Sequence, residues 1–264
     1  MSVYYKEHPE YLEQSIESML IQTVQPDEFV IVCDGKLTKE LDSVLENYKN
    51  NYNGLFKIVR LETNQGLGKA LNVGMKECSN SVIARMDSDD IAIPQRCEMQ
   101  LKKIADGYDI VSGTVLEFEH NPQNTLVSRK LPVNNEEIYT FAKRRNPFNH
   151  PCVMYRREKV IEAGEYKDFP FFEDYYLWAR MLLLNVNCYN IEEPILYMRA
   201  GEGMYRRRGG LNYLKTMLKF RFYLYKNNIS GFSDFLISAL GQTMVCILPN
   251  QLRESIYAKY LREK

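Results

Sequence analysis

The chain reads as an α/β protein: an open, mainly parallel sheet with helices on both faces, followed by a helical tail. Three observations predict this. Within the first 90 residues, short apolar runs alternate with segments of helical spacing. Asp-Gly or glycine-rich turns stand where the apolar runs end. Near residue 200 the chain changes character, with basic and aromatic residues interleaved in "YLKTMLKFRFYLYK" (213–226).

Taken in order, "SVYY" (2–5) opens as a first strand, and "HPEYLEQSIESMLIQT" follows as a helix. Its Pro9 suits the first turn, and Leu12, Ile16, Met19 and Leu20 share one face. "EFVIVCDG" (28–35) is a buried strand with its exit turn, and "LTKELDSVLENYKN" a second helix. "FKIVRLE" (56–62) is a third strand, "GLGKALNVGMKEC" a helix entered through a glycine turn, and "SVIARM" (81–86) a fourth strand. In such sheets ligands bind beyond the carboxyl ends of the strands, so Asp34 and Asp87 are expected at one edge, facing a cleft. After Pro94 the alternation loosens. "EMQLKKI" is helical, "YDIVSGTVLEFE" (108–119) and "PCVMYRR" (151–157) are strands, "EDYYLWARMLLL" (173–184) is an amphipathic helix, and "CYNIEEPILYMRA" (188–200) returns as strand. The expected division is a catalytic body over 1–200, with halves of about 1–95 and 96–200, and a tail over 201–264.

Composition excludes several classes. Hydrophobic residues at 45% and charged residues at 26% allow a real core. Lys+Arg and Asp+Glu both number 34, which argues against a nucleic-acid binder. The balance hides an asymmetry: from Arg199 onward 12 basic residues face 4 acidic ones, a net +8 against −8 on residues 1–198. Six scattered cysteines (33, 78, 97, 152, 188, 246) form no CxxC pair and follow no signal peptide, so reduced thiols and a cytoplasmic location are expected. Phe235–Leu248, the longest apolar window, is too short to span a membrane.

The chemistry-bearing motif is "ARMDSDDIAIPQR" (84–96), with Asp87, Asp89 and Asp90 within four positions. A solvated acidic turn is one reading. An EF-hand loop would put Asp87, Asp89 and Glu98 at positions 1, 3 and 12, but Ile91, Ala92 and Pro94 break it. The remaining reading is a Mg²⁺ or Mn²⁺ site shared with a phosphorylated substrate, since these ions take few protein carboxylates and complete their shell with phosphate and water. "NQGLGKALN" (64–72) lacks the third glycine of a dinucleotide fingerprint, Leu71 standing there; Lys69 in the first turn could meet a phosphate or a base. Glu173 and Asp174 open a helix, as capping residues or as a base beside a cleft. His150 is a structural histidine or a ligand contact. "MYRRRGG" (204–210) is a basic loop, solvated or closing over a diphosphate.

Together, in this order, a strand-end Asp-Gly, N-x-G-x-x-x-A-x-N, a strand-end DxD and an ED at a helix start resemble the family 2 glycosyltransferases of the GT-A fold. "IESMLIQTVQPDEFVIVCDG", "NQGLGKALNVGM", "ARMDSDDIAIPQR", "FEDYYLWARM" and "YRRRGG" are similar to the bacterial capsule and exopolysaccharide branch, over roughly residues 1–210. The resemblance implies a Rossmann-like sheet and an inverting, metal-dependent transfer of a hexose, galactose or glucose, from a UDP-sugar to a hydroxyl of a lipid-linked saccharide. It implies Asp34, Asn64 and Lys69 at the base and ribose, Asp87 and Asp89 at Mn²⁺ or Mg²⁺, Asp87 also at the ribose, and Arg207 at the diphosphate. Asp174, beside Glu173, is the implied base, and His150 an acceptor contact. Two departures stand: Cys33-Asp34-Gly35 where many relatives show Asp-Asp-Gly, and no QxxRW motif, which argues for one sugar per encounter. A nucleotidyltransferase and a non-catalytic sugar-nucleotide-binding or scaffold protein are the alternatives. The tail suits either an anionic membrane surface, giving a peripheral protein at the inner face of the cell membrane, or packing on the body or in a homodimer.

Overall fold

A computed structural model describes residues 1–125, 127–200 and 209–248. Strand β1 (Ser2–Val3) pairs in parallel with β2 (Phe29–Cys33), and β2 in parallel with β3 (Phe56–Arg60). All five β2 residues are buried, as expected of a strand covered on both faces. Ile31 packs in the core formed with helices α1 (Pro9–Leu20) and α2 (Lys39–Asn51). Val32 points the other way, to α3 (Leu67–Glu77), where a Cβ on Gly74 would lie 3.1 Å from its Cγ2. The α2 N-terminus is capped by Thr38, whose Oγ1 accepts from the Leu41 amide.

The second sheet runs β4 (Val82–Ala84), β8 (Met154–Arg156), β6 (Ile110–Phe118), β9 (Cys188–Arg199) and β5 (Ile91–Ala92), with β7 (Val127–Arg129) added to β6. Here only β6 and β9 are parallel; the other pairings are antiparallel. A parallel bridge from Ser2 to Asp87 joins the two sheets. The α/β class and the helices on both faces are borne out. Parallel direction prevails only in the first sheet, because beyond Pro94 the apolar runs are no longer each followed by a crossover helix. Residues 150–152 form a 3₁₀ turn around Pro151, so the strand expected from 151 begins at Met154. β5, β7 and the seven-residue α5 (Asn135–Phe141) were not expected, being too short to display a period.

One core joins α1, α2 and α4 (Arg96–Ala105) to the sheets; a second, on the other face, joins α3, α5, α6 (Arg157–Glu162) and α7 (Glu173–Leu183). A third fastens the C-terminal hairpin of α8 (Leu211–Lys226) and α9 (Phe232–Ile247) to α7, through Phe172, Tyr175 and Ala179 against Tyr213, Met217, Phe220 and Leu224. No disulfide joins the cysteines, five of which are buried. Among the described residues, no helix is long and apolar enough to cross a membrane.

Candidate active site

The carboxyl ends of β2 and β4 lie either side of β1, so Asp34 and Asp87 share one edge of the sheet, as expected. Asp34 is 4% exposed, and its backbone N–H donates to Val3 O. Gly35 turns the chain at φ +87°, with room for no side chain: a Cβ would lie 2.7 Å from the Asn64 nitrogen. That close approach lets the Asp34 carboxylate accept from the amides of Gln65 (2.7 Å) and Gly66 (3.0 Å), while Asn64 Nδ2 donates to Asp34 O (3.2 Å). The loop is thus pinned by Asp34; Asn64 is exposed on it, and Lys69 is exposed on the first turn of α3 that follows.

The three carboxylates of the DSDD turn converge, with one oxygen of each of Asp87, Asp89 and Asp90 within 4.8 Å of the others. Backbone and side-chain contacts hold the turn. Ser15 Oγ donates to Asp87 O (2.7 Å), Ser88 Oγ to Glu7 Oε2 (2.5 Å), and the Arg199 amide to Asp90 Oδ1 (2.8 Å). Buried Arg85 grips Asp87 with two guanidinium nitrogens, Nη1 to Oδ2 at 2.7 Å and Nη2 to Oδ1. Among the described residues, no cation pairs with the side chains of Asp89 or Asp90. Burial, then the Asp87 charge, raises Asp89 to about 7, and the same causes raise Asp90 well above the carboxylate range. Asp90 Oδ2 is buried without a hydrogen-bond partner. Converging hard oxygens, one of them orphaned, fit a divalent cation such as Mg²⁺ or Mn²⁺.

Asp174 sits in the first turn of α7. Its Oδ1 accepts from the Tyr175 amide (2.6 Å) and its Oδ2 from Asn146 Nδ2 (2.7 Å). No side chain caps α7, so the two acids answer its dipole. Burial and then the Asp174 charge raise the Glu173 carboxyl above its ordinary value. Tyr166 is within electrostatic reach of both Asp87 and Asp174. Burial and Tyr155 raise its phenol most, and both Asp174 and Asp87 add to the effect. Tyr166 OH is 2.9 Å from His150 Nε2, and Asn72 clamps its backbone by two 2.8 Å bonds. Burial first, then the Arg85 charge, holds the His150 imidazole well below its usual value, hence neutral.

Asp34 and Asn64 therefore form one cluster, with Lys69 a turn further on in α3; Asp87 and Asp89 form a second, and Glu173 and Asp174 a third, while His150 is tied to Tyr166. Arg207 lies outside the described residues. Sequence reasoning did not single out Arg85, Asn146 or Tyr166. Arg85 carried a signal, lying two residues before Asp87 and so on the same side of an extended segment. Asn146, 28 residues from its partner, carried none.

Comparisons with known proteins bear on the family and the fold. The family model "Glycosyl transferase family 2" matches residues 2–164. The amylovoran biosynthesis glycosyltransferase AmsE of Erwinia amylovora is 38% identical, the alignment covering 98% of this chain and 97% of AmsE. The Escherichia coli UDP-Gal:alpha-D-GlcNAc-diphosphoundecaprenol beta-1,3-galactosyltransferase is 36% identical over 99% of this chain and 95% of that protein. Among solved structures, S. aureus TarS 1–349 superposes with a TM-score of 0.65 at 17% identity, covering 98% of this chain and 74% of TarS 1–349. The mannosyltransferase PcManGT from Pyrobaculum calidifontis, solved with GDP-Man and Mn²⁺, gives 0.62 at 14% identity, with 97% and 72% covered. The two structures share the fold, which is GT-A.

Proposed function

The chain belongs to glycosyl transferase family 2 and is a glycosyltransferase, and on that premise we propose that it moves a hexose, galactose first, from UDP to a hydroxyl of a lipid-linked saccharide during cell-surface polysaccharide synthesis. Membership sets aside the nucleotidyltransferase and the non-catalytic scaffold. What supports the finer reading is the relative that uses UDP-Gal and a GlcNAc-diphosphoundecaprenol acceptor, at 36% identity over nearly the whole chain. The single structural observation that carries the transfer chemistry is the convergence of Asp87, Asp89 and Asp90, with one oxygen of each within 4.8 Å of the others.

In this reading Asn64, on a loop that Asp34 holds in place, and Lys69, in the first turn of α3, meet the uracil and ribose, and Asp87 meets the ribose. Asp87, Asp89 and Asp90 would hold a divalent ion, whose charge would offset that of the diphosphate and help UDP to leave. Arg85 aims Asp87, holding both carboxylate oxygens with its two terminal guanidinium nitrogens. Asn146 fixes one oxygen of Asp174, so the carboxylate is oriented before the acceptor arrives. Asp174 takes the proton of the acceptor hydroxyl as that oxygen bonds to the anomeric carbon, while the bond to the UDP oxygen breaks on the opposite face and the configuration inverts. Glu173 is the second carboxylate of this wall, and neutral His150, backed by Tyr166, hydrogen-bonds the acceptor sugar.

The test is a panel of UDP-Gal, UDP-Glc and UDP-GlcNAc with Mn²⁺ and a short-chain GlcNAc-diphospholipid acceptor, scored by UDP release and by product mass. Acceptor-dependent transfer of a hexose, fastest from UDP-Gal, is expected. Transfer of GlcNAc alone, or UDP release that ignores the acceptor, overturns the donor and acceptor assignments.

A further inference from the structure

The C-terminal hairpin presents an apolar face that the catalytic reading leaves unused. On α8, Leu211, Leu218, Phe222 and Tyr225 are 74%, 38%, 54% and 38% exposed, and their spacing sets them on one stripe. The opposite stripe, with Met217, Phe220 and Leu224, is fully buried against α7. On α9, Phe232, Leu236, Leu240 and Met244 recur every fourth residue and are 61%, 39%, 59% and 68% exposed. Ring contacts of Tyr225 with Phe232 (6.1 Å) and Phe235 (5.6 Å) join the two stripes into one surface. Isolated exposed apolar residues need no explanation, but a continuous two-helix face marks a partner or a membrane.

Charge selects the occupant. Lys215, Lys219 and Lys226 are exposed on α8, and the 3.6-residue period puts them along one border of its apolar stripe. α9 has no Lys or Arg; its one acid, Asp234, is paired with Arg144 at 2.6 Å. The exposed charge of the hairpin is therefore positive. A second copy docked through the same face would bring a second set of lysines to the rim, since a two-fold interface uses one patch twice. An anionic bilayer offers the lysines opposite charge and the apolar stripe an acyl layer.

We infer that the α8–α9 hairpin lies on an anionic membrane, with Phe222, Phe232, Leu236, Leu240 and Met244 entering the acyl boundary and Lys215, Lys219 and Lys226 at the headgroups. The inference rests on the lipid-linked acceptor proposed above, because the third core ties this face to the helix that begins with Glu173 and Asp174.

The test is sedimentation of the full chain with phosphatidylcholine vesicles, with and without phosphatidylglycerol. Binding that requires phosphatidylglycerol and weakens as salt rises from about 50 to about 300 mM is expected. Exchanging all three lysines for Gln should weaken it about 100-fold, at about fivefold for each lysine. Leu236→Ser with Leu240→Ser should abolish it while the melting temperature stays within a few degrees, both side chains being exposed. No binding to phosphatidylglycerol vesicles at low salt, or equal binding to neutral vesicles, overturns the inference. So does a concentration-dependent dimer that the Leu-to-Ser pair dissociates while vesicles are ignored. Transfer to a short-chain soluble acceptor reads the proposed activity separately, so either claim can fail alone.

Discussion

Asp174 is poised by two short hydrogen bonds, one from its own helix and one from Asn146, so its orientation and its basicity can be separated. Asp174→Asn keeps the shape and removes the proton acceptor; kcat should fall by about 10²–10⁴-fold with KM for the donor little changed. Asn146→Ala leaves the base but loosens it, and should cost about 10–100-fold in kcat. The two losses should not add, since both act through one carboxylate; steady-state kinetics of the double variant checks this. Asp89→Ala, or EDTA, should remove turnover and the metal-dependent part of UDP binding measured by titration calorimetry, with circular dichroism unchanged. His150 predicts a pH effect of definite sign. Its folded pKa lies below the ordinary 6.5, so below pH 6.5 the unfolded chain takes up a proton that the folded one refuses. This residue's contribution to stability is therefore lost as pH falls from 6.5 toward its folded pKa. The melting temperature of wild type relative to His150→Gln should drop between about pH 7.5 and about pH 5.5, and a constant difference would refute the assignment.

At the scale of elements, the turn at Gly35 ties strand β2 to the loop before α3. Gly54→Ala, at φ +79° with nothing near, should cost about 1–2 kcal/mol of backbone strain alone. Gly35→Ala adds a 2.7 Å clash with the Asn64 backbone and should cost more, while raising the donor KM because the loop that carries Asn64 and leads into α3 is displaced. Chemical denaturation and KM measurements distinguish the two. This half of the chain was legible in the sequence for a physical reason. Buried parallel strands such as Phe29–Cys33 are continuous apolar runs, and the turns after them need glycine, so both leave local marks. Beyond Pro94 the marks fade. β5 and β7 span two and three residues, and β9 pairs with β6 through an irregular register at Gly113–Val115 that no local pattern announces. The site shows the same division. Asp87, Asp89 and Asp174 stand in recognisable motifs, whereas the grip of Arg85 on Asp87 and of Asn146 on Asp174 exists only in three dimensions. The engagement of Asp34 by two loop amides was equally invisible, although the residue itself was evident.

For the whole molecule, the third core sets how the parts are assembled. Phe220 is fully buried, stacks on Phe172 at 5.0 Å and meets Tyr175 at 4.6 Å, and those two residues flank Glu173 and Asp174. Phe220→Ala should cost about 3–5 kcal/mol in the docking of the hairpin. It should also lower kcat more than it alters donor binding, because the α7 start is loosened while the β2 and β4 ends are untouched. Calorimetry with UDP and steady-state kinetics test this split. The same packing determines where this enzyme and its relatives can be recombined. A chimera cut between β9 and α8 would unite a hairpin from one parent with Phe169, Phe172 and Tyr175 from another, leaving mismatched rings around Glu173 and Asp174. The heritable cassette is therefore the hairpin together with the segment from Phe169 into α7, and acceptor preference should travel with that cassette in any shuffled library.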